Sequence, residues 1–298
     1  MTGDNARLMK AATIASTSVA VLMIAGKMVA WLLTGSVSML SSLVDSSLDF
    51  VGSLITLIAV RQALTPADAE HRFGHGKAEA LAGLAQAGFI AASGGALILT
   101  VAERLLRPQQ VKEEATGLVI SAAAIVLTIG LVTFQSYVAK RTNSIAIAAD
   151  RAHYLTDLVS TMAAGGALFL SGFFNEPLID SGVAGLVSLY LMHGAWTVSR
   201  GSLDVLMDRE LPEAERQKIL EIARDHPGVR SVHELRTRSS GLTKFIQAHV
   251  VLEPTMSLGR AHVIGDTIEA AIQDAFPDAE IILHIDPWND DEPRRPAD

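Results

Sequence analysis

Residues 38–60 read SMLSSLVDSSLDFVGSLITLIAV, an apolar stretch interrupted by small hydroxyl side chains and by two acids, Asp45 and Asp49. A helix that crosses a bilayer needs about 20 mainly apolar residues, and this stretch is long enough. Carboxylates are costly inside hydrocarbon, and where they occur they mark an ion path or a proton relay. Five comparable stretches surround it, at roughly 11–33, 80–102, 116–138, 146–171 and 178–199. The segments at 38–60 and 146–171 are the least apolar, and both contain acids. The sequence therefore predicts an all-α six-helix transmembrane domain over residues 1–207. The first span follows Arg7 and Lys10, as a signal peptide's apolar region would. It exceeds the usual ~7–15 residues and more spans follow, so it reads as a retained helix. Short connectors at 34–37 and 172–177 predict hairpins between spans 1 and 2 and between spans 5 and 6. The pairs Gly94–Gly95 and Gly165–Gly166 permit close helix approach.

Composition agrees. Mean hydropathy is +0.33, with 49% apolar and 19% charged residues. The apolar excess lies before about residue 200. Beyond residue 207 the chain carries 11 basic against 18 acidic residues, a balance that suits cations and argues against nucleic acid as a partner. There is no cysteine, so disulfides and thiolate metal sites are excluded. Neither a His-Glu-x-x-His motif nor a phosphate-binding Gly-x-x-x-x-Gly-Lys-Ser/Thr motif occurs, which argues against a zinc protease and against ATP drive within this chain. The six spans exclude a soluble enzyme.

Basic residues near the span ends set orientation. Arg7, Lys10, Arg61, Arg72, Lys77, Lys140, Arg141, Arg200 and Arg209 fall on one side, and Arg104, Arg107 and Lys112 fall in one loop on the other. The first side is predicted to be cytoplasmic, with both termini. After Leu211-Pro212 the pattern changes to a helix at 213–224, strands at 229–238 and 243–253 joined by a Ser239-Ser240-Gly241 turn, a helix from Ser257 to about Phe276, and a strand at 280–286. This α-β-β-α-β order predicts a small cytoplasmic α+β domain over 208–290, with helices on one face of a sheet. Residues 291–298 read as a disordered tail.

Asp45 and Asp49 are four apart, which places both carboxylates on one face of a helix. His153 and Asp157 repeat the spacing in the fifth span. Each pair alone is compatible with a helix end touching water. Two matching pairs on two helices give four N/O ligands, the number a tetrahedral Zn2+ site wants. Asp68, His71 and His75 lie between spans 2 and 3, where Gly74 and Gly76 let the backbone turn. They read either as a weak three-ligand metal site or as a solvated polar loop. In the C-terminal part His233, His249, His284 and Asp286 fall on three strands, His284 and Asp286 share a sheet face, and His262 lies near the start of the second helix. Their clustering favours metal binding by imidazole and carboxylate. Lys27 in span 1 either snorkels or pairs with an acid, and a structural role is favoured. Asp180 and His193 read as local hydrogen-bonding groups.

These residues resemble the cation diffusion facilitator family, most closely its bacterial zinc and ferrous-iron efflux branch. The resemblance covers about 11–288 and rests on Thr34-Gly-Ser-Val-Ser38, Leu43-Val-Asp-Ser46 with Asp49, Phe73-Gly-His-Gly-Lys-Ala-Glu79, the segment from Asp150 to Asp157, Leu206-Met-Asp-Arg-Glu-Leu-Pro212, His226-Pro-Gly-Val229 and Leu235-Arg-Thr-Arg238. It implies six spans, a ferredoxin-like (metallochaperone-like) cytoplasmic domain, a homodimer in the bacterial inner membrane, and proton-driven metal export. It implies that Asp45, Asp49, His153 and Asp157 form the transport site and that Asp68, His71 and His75 bind a second ion. It further implies that His233, His249, His262, His284 and Asp286 hold a two-metal site bridged by Asp286, and that Lys77 and Asp208 pair near the dimer junction. The chain departs from relatives at Trp288 and in lacking the cysteines that some carry; neither touches a proposed ligand. Zinc-only relatives have a second histidine where Asp45 stands, so the acid implies a broader choice that includes Cd2+, Fe2+ or Mn2+. The reading is a Zn2+ antiporter that acts by alternating access, with divalent metal ions, protons and membrane lipid as partners. The alternatives are a membrane metal sensor that signals through its cytoplasmic domain, which would not need ligands within the spans, and a uniport channel.

Overall fold

The computed structural model describes residues 3–106, 115–174 and 178–289. The predicted tail at 291–298 and the loop residues Arg107 and Lys112 lie outside them. The elements are α1 (Gly3–Thr34), α2 (Val37–Ala63), α3 (Ala78–Leu106), α4 (Ala115–Thr142), α5 (Ile145–Phe174), α6 (Leu178–Leu206), α7 (Glu213–Arg224), β1 (Ser231–Ser240), β2 (Thr243–Leu252), α8 (Leu258–Ala275) and β3 (Ala279–Pro287). The chain divides into two compact units, one through Leu203 and one from Asp204 onward.

In the first unit α1, α2, α3, α4 and α6 are long and apolar enough to cross a membrane. The remaining helix, α5, has 30 residues, about 45 Å at 1.5 Å per residue. Its N-terminal half carries Asp150, Arg151 and Asp157, which lower its hydropathy. Large apolar side chains such as Leu32, Leu33, Phe169 and Trp196 face outward, whereas Ser16, Ser46, Ser53, Thr56, Gln86 and Gln135 are buried. That inversion fits a bilayer, where the outer surface meets lipid and polar groups must find partners inside. The α1–α2 hairpin turns at Gly35, whose φ of 61° is open to glycine without strain and whose N–H donates to the Trp31 carbonyl at 2.7 Å. Helices α3, α5 and α6 pack through Ile90, Ala152, Ala163, Val187 and Leu191. At Gly83 the approach of α3 to α6 is so close that a Cβ would collide with the Ser202 hydroxyl.

The second unit has the predicted α-β-β-α-β order, with strands arranged β1-β2-β3. β1 and β2 are antiparallel, and β2 and β3 are parallel and joined through α8. Ile246, Ala248, Val250 and Leu252 alternate along β2 and bury one sheet face against Ile268 and Ile272 of α8 and Ile219 of α7. The unit is a small ferredoxin-like α+β domain. The turn differs from the expected Ser239-Ser240-Gly241. Ser239 and Ser240 continue the ladder opposite Lys244 and Thr243, and the loop is Gly241-Leu242 with Gly241 at φ 60°. A glycine with positive φ at the first position of a two-residue loop matches the twist of the hairpin, so the strands run on to it.

Candidate metal centres

The close approach of α2 and α5 brings together Asp49, His153 and Asp157. One ligand atom from each lies within 4.8 Å of the others. The His153 Nε2 stands 3.1 Å from Asp49 Oδ1 and 3.4 Å from Asp157 Oδ2. The imidazole is 5% exposed, enclosed by Phe89 and Tyr154 ring edges, while Asp157 is 38% exposed and gives the cluster an open side. Asp157 Oδ2 is buried without a hydrogen-bond partner, so the cluster holds an unspent carboxylate oxygen of the kind a divalent ion takes up. Asp45 shares the helix face with Asp49 but lies one turn nearer the hairpin, exposed and outside the converging set.

Behind this cluster is a polar network that the sequence did not single out. Asp150, 1% exposed, accepts hydrogen bonds from Gln86 Nε2 on α3 at 3.0 Å and Gln135 Nε2 on α4 at 2.6 Å. The hydroxyls of Ser16 on α1 and Ser53 on α2 also reach it. Gln86 Nε2 donates in addition to Thr56 at 3.1 Å, and the Tyr154 hydroxyl meets Ser53 at 2.8 Å and the Ser16 carbonyl at 3.3 Å. Five helices are thus pinned around the start of α5, one turn before His153. Glu79 does similar work at the N-terminus of α5, accepting from the Ser144 hydroxyl and from the Ala146 N–H at 3.3 Å. The available signal was the presence of Gln86 and Gln135 inside apolar spans, since each needs a partner there.

In the loop after α2, Asp68, His71 and His75 converge. Asp68 Oδ1 accepts from the His71 N–H at 2.6 Å and the Glu70 N–H at 3.0 Å. The His71 N–H, more than any other group, holds this carboxyl below its usual range. His75 Nε2 and His71 Nδ1 each stand 3.4 Å from Asp68. His75 Nδ1 lies 3.3 Å from the Thr65 carbonyl, which can only accept, so a hydrogen bond there uses an Nδ1–H and turns Nε2 towards Asp68. Gly74 at φ 76° makes the bend that returns His75 to His71, with ring centroids 4.7 Å apart.

On the sheet face away from the helices, His233, His249 and His284 stand side by side, because β1 pairs His233 with His249 and β3 pairs His284 with His249. Asp286 reaches all three, at 3.8 Å to His233 Nε2, 2.8 Å to His249 Nδ1 and 3.1 Å to His284 Nε2. Ligand atoms of His233, His249 and Asp286 fall within one 4.8 Å cluster. His262 is not brought there. It sits exposed on α8, 3.5 Å from Asp266. Conversely, Glu234 was missed. A register shift between His233 and Arg236, with Glu234 at φ 48°, carries its carboxylate to 3.9 Å from His249 Nε2 and 3.5 Å from Arg236. Lys77 and Asp208 belong to different units, and within its own unit Asp208 lies 3.3 Å from Arg238.

An apolar-out, polar-in helical unit with acids and an imidazole converging inside it, followed by a ferredoxin-like domain that carries a row of imidazoles, defines a polytopic membrane protein that handles metal cations. Residues 13–207 match the cation efflux transmembrane domain family, and residues 211–288 match the cation efflux protein cytoplasmic domain family. A cation-efflux pump FieF from Cronobacter sakazakii is 43% identical over 287 residues, covering 96% of this chain and 95% of the relative. A cation-efflux pump FieF from Klebsiella pneumoniae is 43% identical over 281 residues, covering 94% of this chain and 93% of the relative. A solved MamM C-terminal domain variant in its nickel form is 26% identical, with a TM-score of 0.25, covering 26% of this chain and 100% of that one. The chain belongs to the cation efflux family, membrane transporters of divalent metal cations and not enzymes.

Proposed function

We propose that this protein exports a divalent transition-metal ion, Zn2+ foremost, from the cytoplasm by proton antiport. The observation that carries the proposal is the convergence of Asp49, His153 and Asp157 on one point between α2 and α5, open on the Asp157 side. A mixed N/O set of this size suits four-coordinate Zn2+, with Asp45 swinging in as the fourth ligand. Three carboxylates with one imidazole also admit Cd2+, Fe2+ and Mn2+.

Coupling follows from ligand chemistry. Ligands must be deprotonated to bind metal, so metal and protons compete for the same atoms. Facing the cytoplasm, the site loads metal and sheds protons; facing outward, protons displace the metal. The buried network around Asp150 fixes α5 against four other helices, so α2 and α5 move as parts of a packed body and the site changes face by alternating access. The protein acts as a homodimer in the bacterial inner membrane with both termini in the cytoplasm, a topology supported by the basic residues at the cytoplasmic ends of the spans. The loop cluster and the His233–His249–Asp286 cluster, with His284 at its edge, bind metal without lying on the transport path, and the second of these stabilises the dimer.

The test is metal flux in reconstituted vesicles across Zn2+, Cd2+, Fe2+ and Mn2+, with and without a pH gradient. Saturable flux that follows the gradient is the expected result. Absence of flux with intact metal binding would point to a sensor, and flux that neither saturates nor follows the gradient would point to a channel.

A further inference from the structure

The transport cluster has a cationic neighbour that its ligand chemistry does not use. Lys27 lies on α1, about 12 Å from the hairpin at 1.5 Å per residue. Among the described residues its ammonium makes no direct ion pair with a carboxylate. It reaches across to α2 and donates to Ser46 Oγ at 2.6 Å and to the Ser42 carbonyl at 3.1 Å. Ser46 is wholly buried and sits between Asp45 and Asp49 in sequence. The charges of Asp49, Asp45 and Asp157 all act on the ammonium. A lysine in a spanning helix is costly unless it has a function there, and two hydrogen bonds to α2 fix this one where three ligand carboxylates sense it.

We propose that Lys27 is the resident counter-cation of the transport site. Its tethered ammonium balances the carboxylates when no metal is bound and opposes the arriving dication, which keeps affinity low enough for release. Lys27 acts through the carboxylates and does not ligate the metal, so it is a positioning residue. This inference rests on the transport-site reading above. The tether to Ser42 and Ser46 is what separates it from a snorkelling lysine. An ammonium that moved freely to the lipid interface would leave the carboxylates unbalanced, whereas one bonded to α2 travels with Asp45 and Asp49 through the transport cycle.

The expected effect has a sign that distinguishes charge from structure. Unit charges about 10 Å apart at an effective dielectric of about 20 already shift an equilibrium more than tenfold. Removing the ammonium therefore tightens metal binding, whereas loosening the fold weakens it. The experiment is Zn2+ titration calorimetry on the full-length protein in nanodiscs at fixed pH. His75→Ala and Asp286→Ala are introduced throughout to silence the other two clusters, and Asp49→Ala defines the transport-site component. Lys27→Met is expected to tighten that component at least about tenfold and to slow turnover in vesicles, and Lys27→Arg to restore both. If Lys27→Met does not fold, Lys27→Gln, which keeps a hydrogen-bond donor without the charge, carries the same expectation. An unchanged or weakened Kd in a folded, charge-free variant overturns the counter-cation role. If Asp49→Ala leaves all binding intact, the transport-site reading itself fails, and the two failures are distinguishable.

Discussion

Replacing Asp150 by Leu should destabilise the membrane unit far more than replacing it by Asn. In the native network the carboxylate receives the Gln86 and Gln135 amides. Leucine leaves both facing an apolar side chain. Gln86 keeps Thr56 at 3.1 Å, so its loss is partial, whereas no other bond is formed by the Gln135 amide among the described residues. An orphaned buried donor costs about 1–3 kcal/mol; one full and one partial loss amount to about 2–4 kcal/mol. Asparagine presents an oxygen to one amide and an NH2 to the other. The Oε1 atoms of Gln86 and Gln135 are buried without partners, so either glutamine can flip and accept from the new NH2. The loss should then stay below about 1 kcal/mol, the worth of one ordinary hydrogen bond. Thermal unfolding of the purified protein, followed by size exclusion after heating, separates the cases. Equal stability of the two variants, or an Asn variant as damaged as the Leu variant, would refute the network's role.

Three further outcomes follow from the geometry. Gly83→Ala should cost about 1–3 kcal/mol through overpacking against the Ser202 hydroxyl, and adding Ser202→Ala should recover most of it in the same unfolding assay. Asp68 is held below its usual range by the His71 N–H, so its contribution to loop order is complete above the unfolded value near ~4 and is lost only as pH falls through the lower folded value. Amide exchange at Glu70 and His71 should therefore be independent of Asp68 protonation above pH ~5, and Asp68→Asn, a neutral acceptor like the protonated acid, should speed that exchange and lower metal affinity at the loop. Asp286 reaches three imidazoles, so Asp286→Ala combined with His249→Ala should lower the metal content of the purified protein and weaken its self-association by analytical ultracentrifugation.

What the sequence disclosed depended on how far a pattern travels along the chain. The pairs Asp45/Asp49 and His153/Asp157 were legible because helical spacing is local. That Asp49 and not Asp45 meets His153 depends on where α2 crosses α5, which no spacing encodes. Strand alternation put His284 and Asp286 on one face, and the register, which the sequence does not state, then brought His233 and His249 beside them. Glu234 was hidden because the irregularity at that point breaks the alternation that the reading relied on. His262 shares the composition of that cluster but sits on α8, whose apolar residues face the opposite side of the sheet. Asp150, Gln86 and Gln135 come from three helices, and their meeting is a property of the packed bundle alone. Lys27 shows the same limit: its bonds to Ser42 and Ser46 depend on the α1–α2 hairpin closing at Gly35.

The central claim is that the cluster between α2 and α5 carries the transported ion. Zn2+ flux into reconstituted vesicles under an imposed pH gradient, wild type against Asp49→Ala, tests it most directly. The expected result is saturable flux for the wild type and none above empty vesicles for a variant that elutes as the same folded species. Equal flux in both would contradict the account.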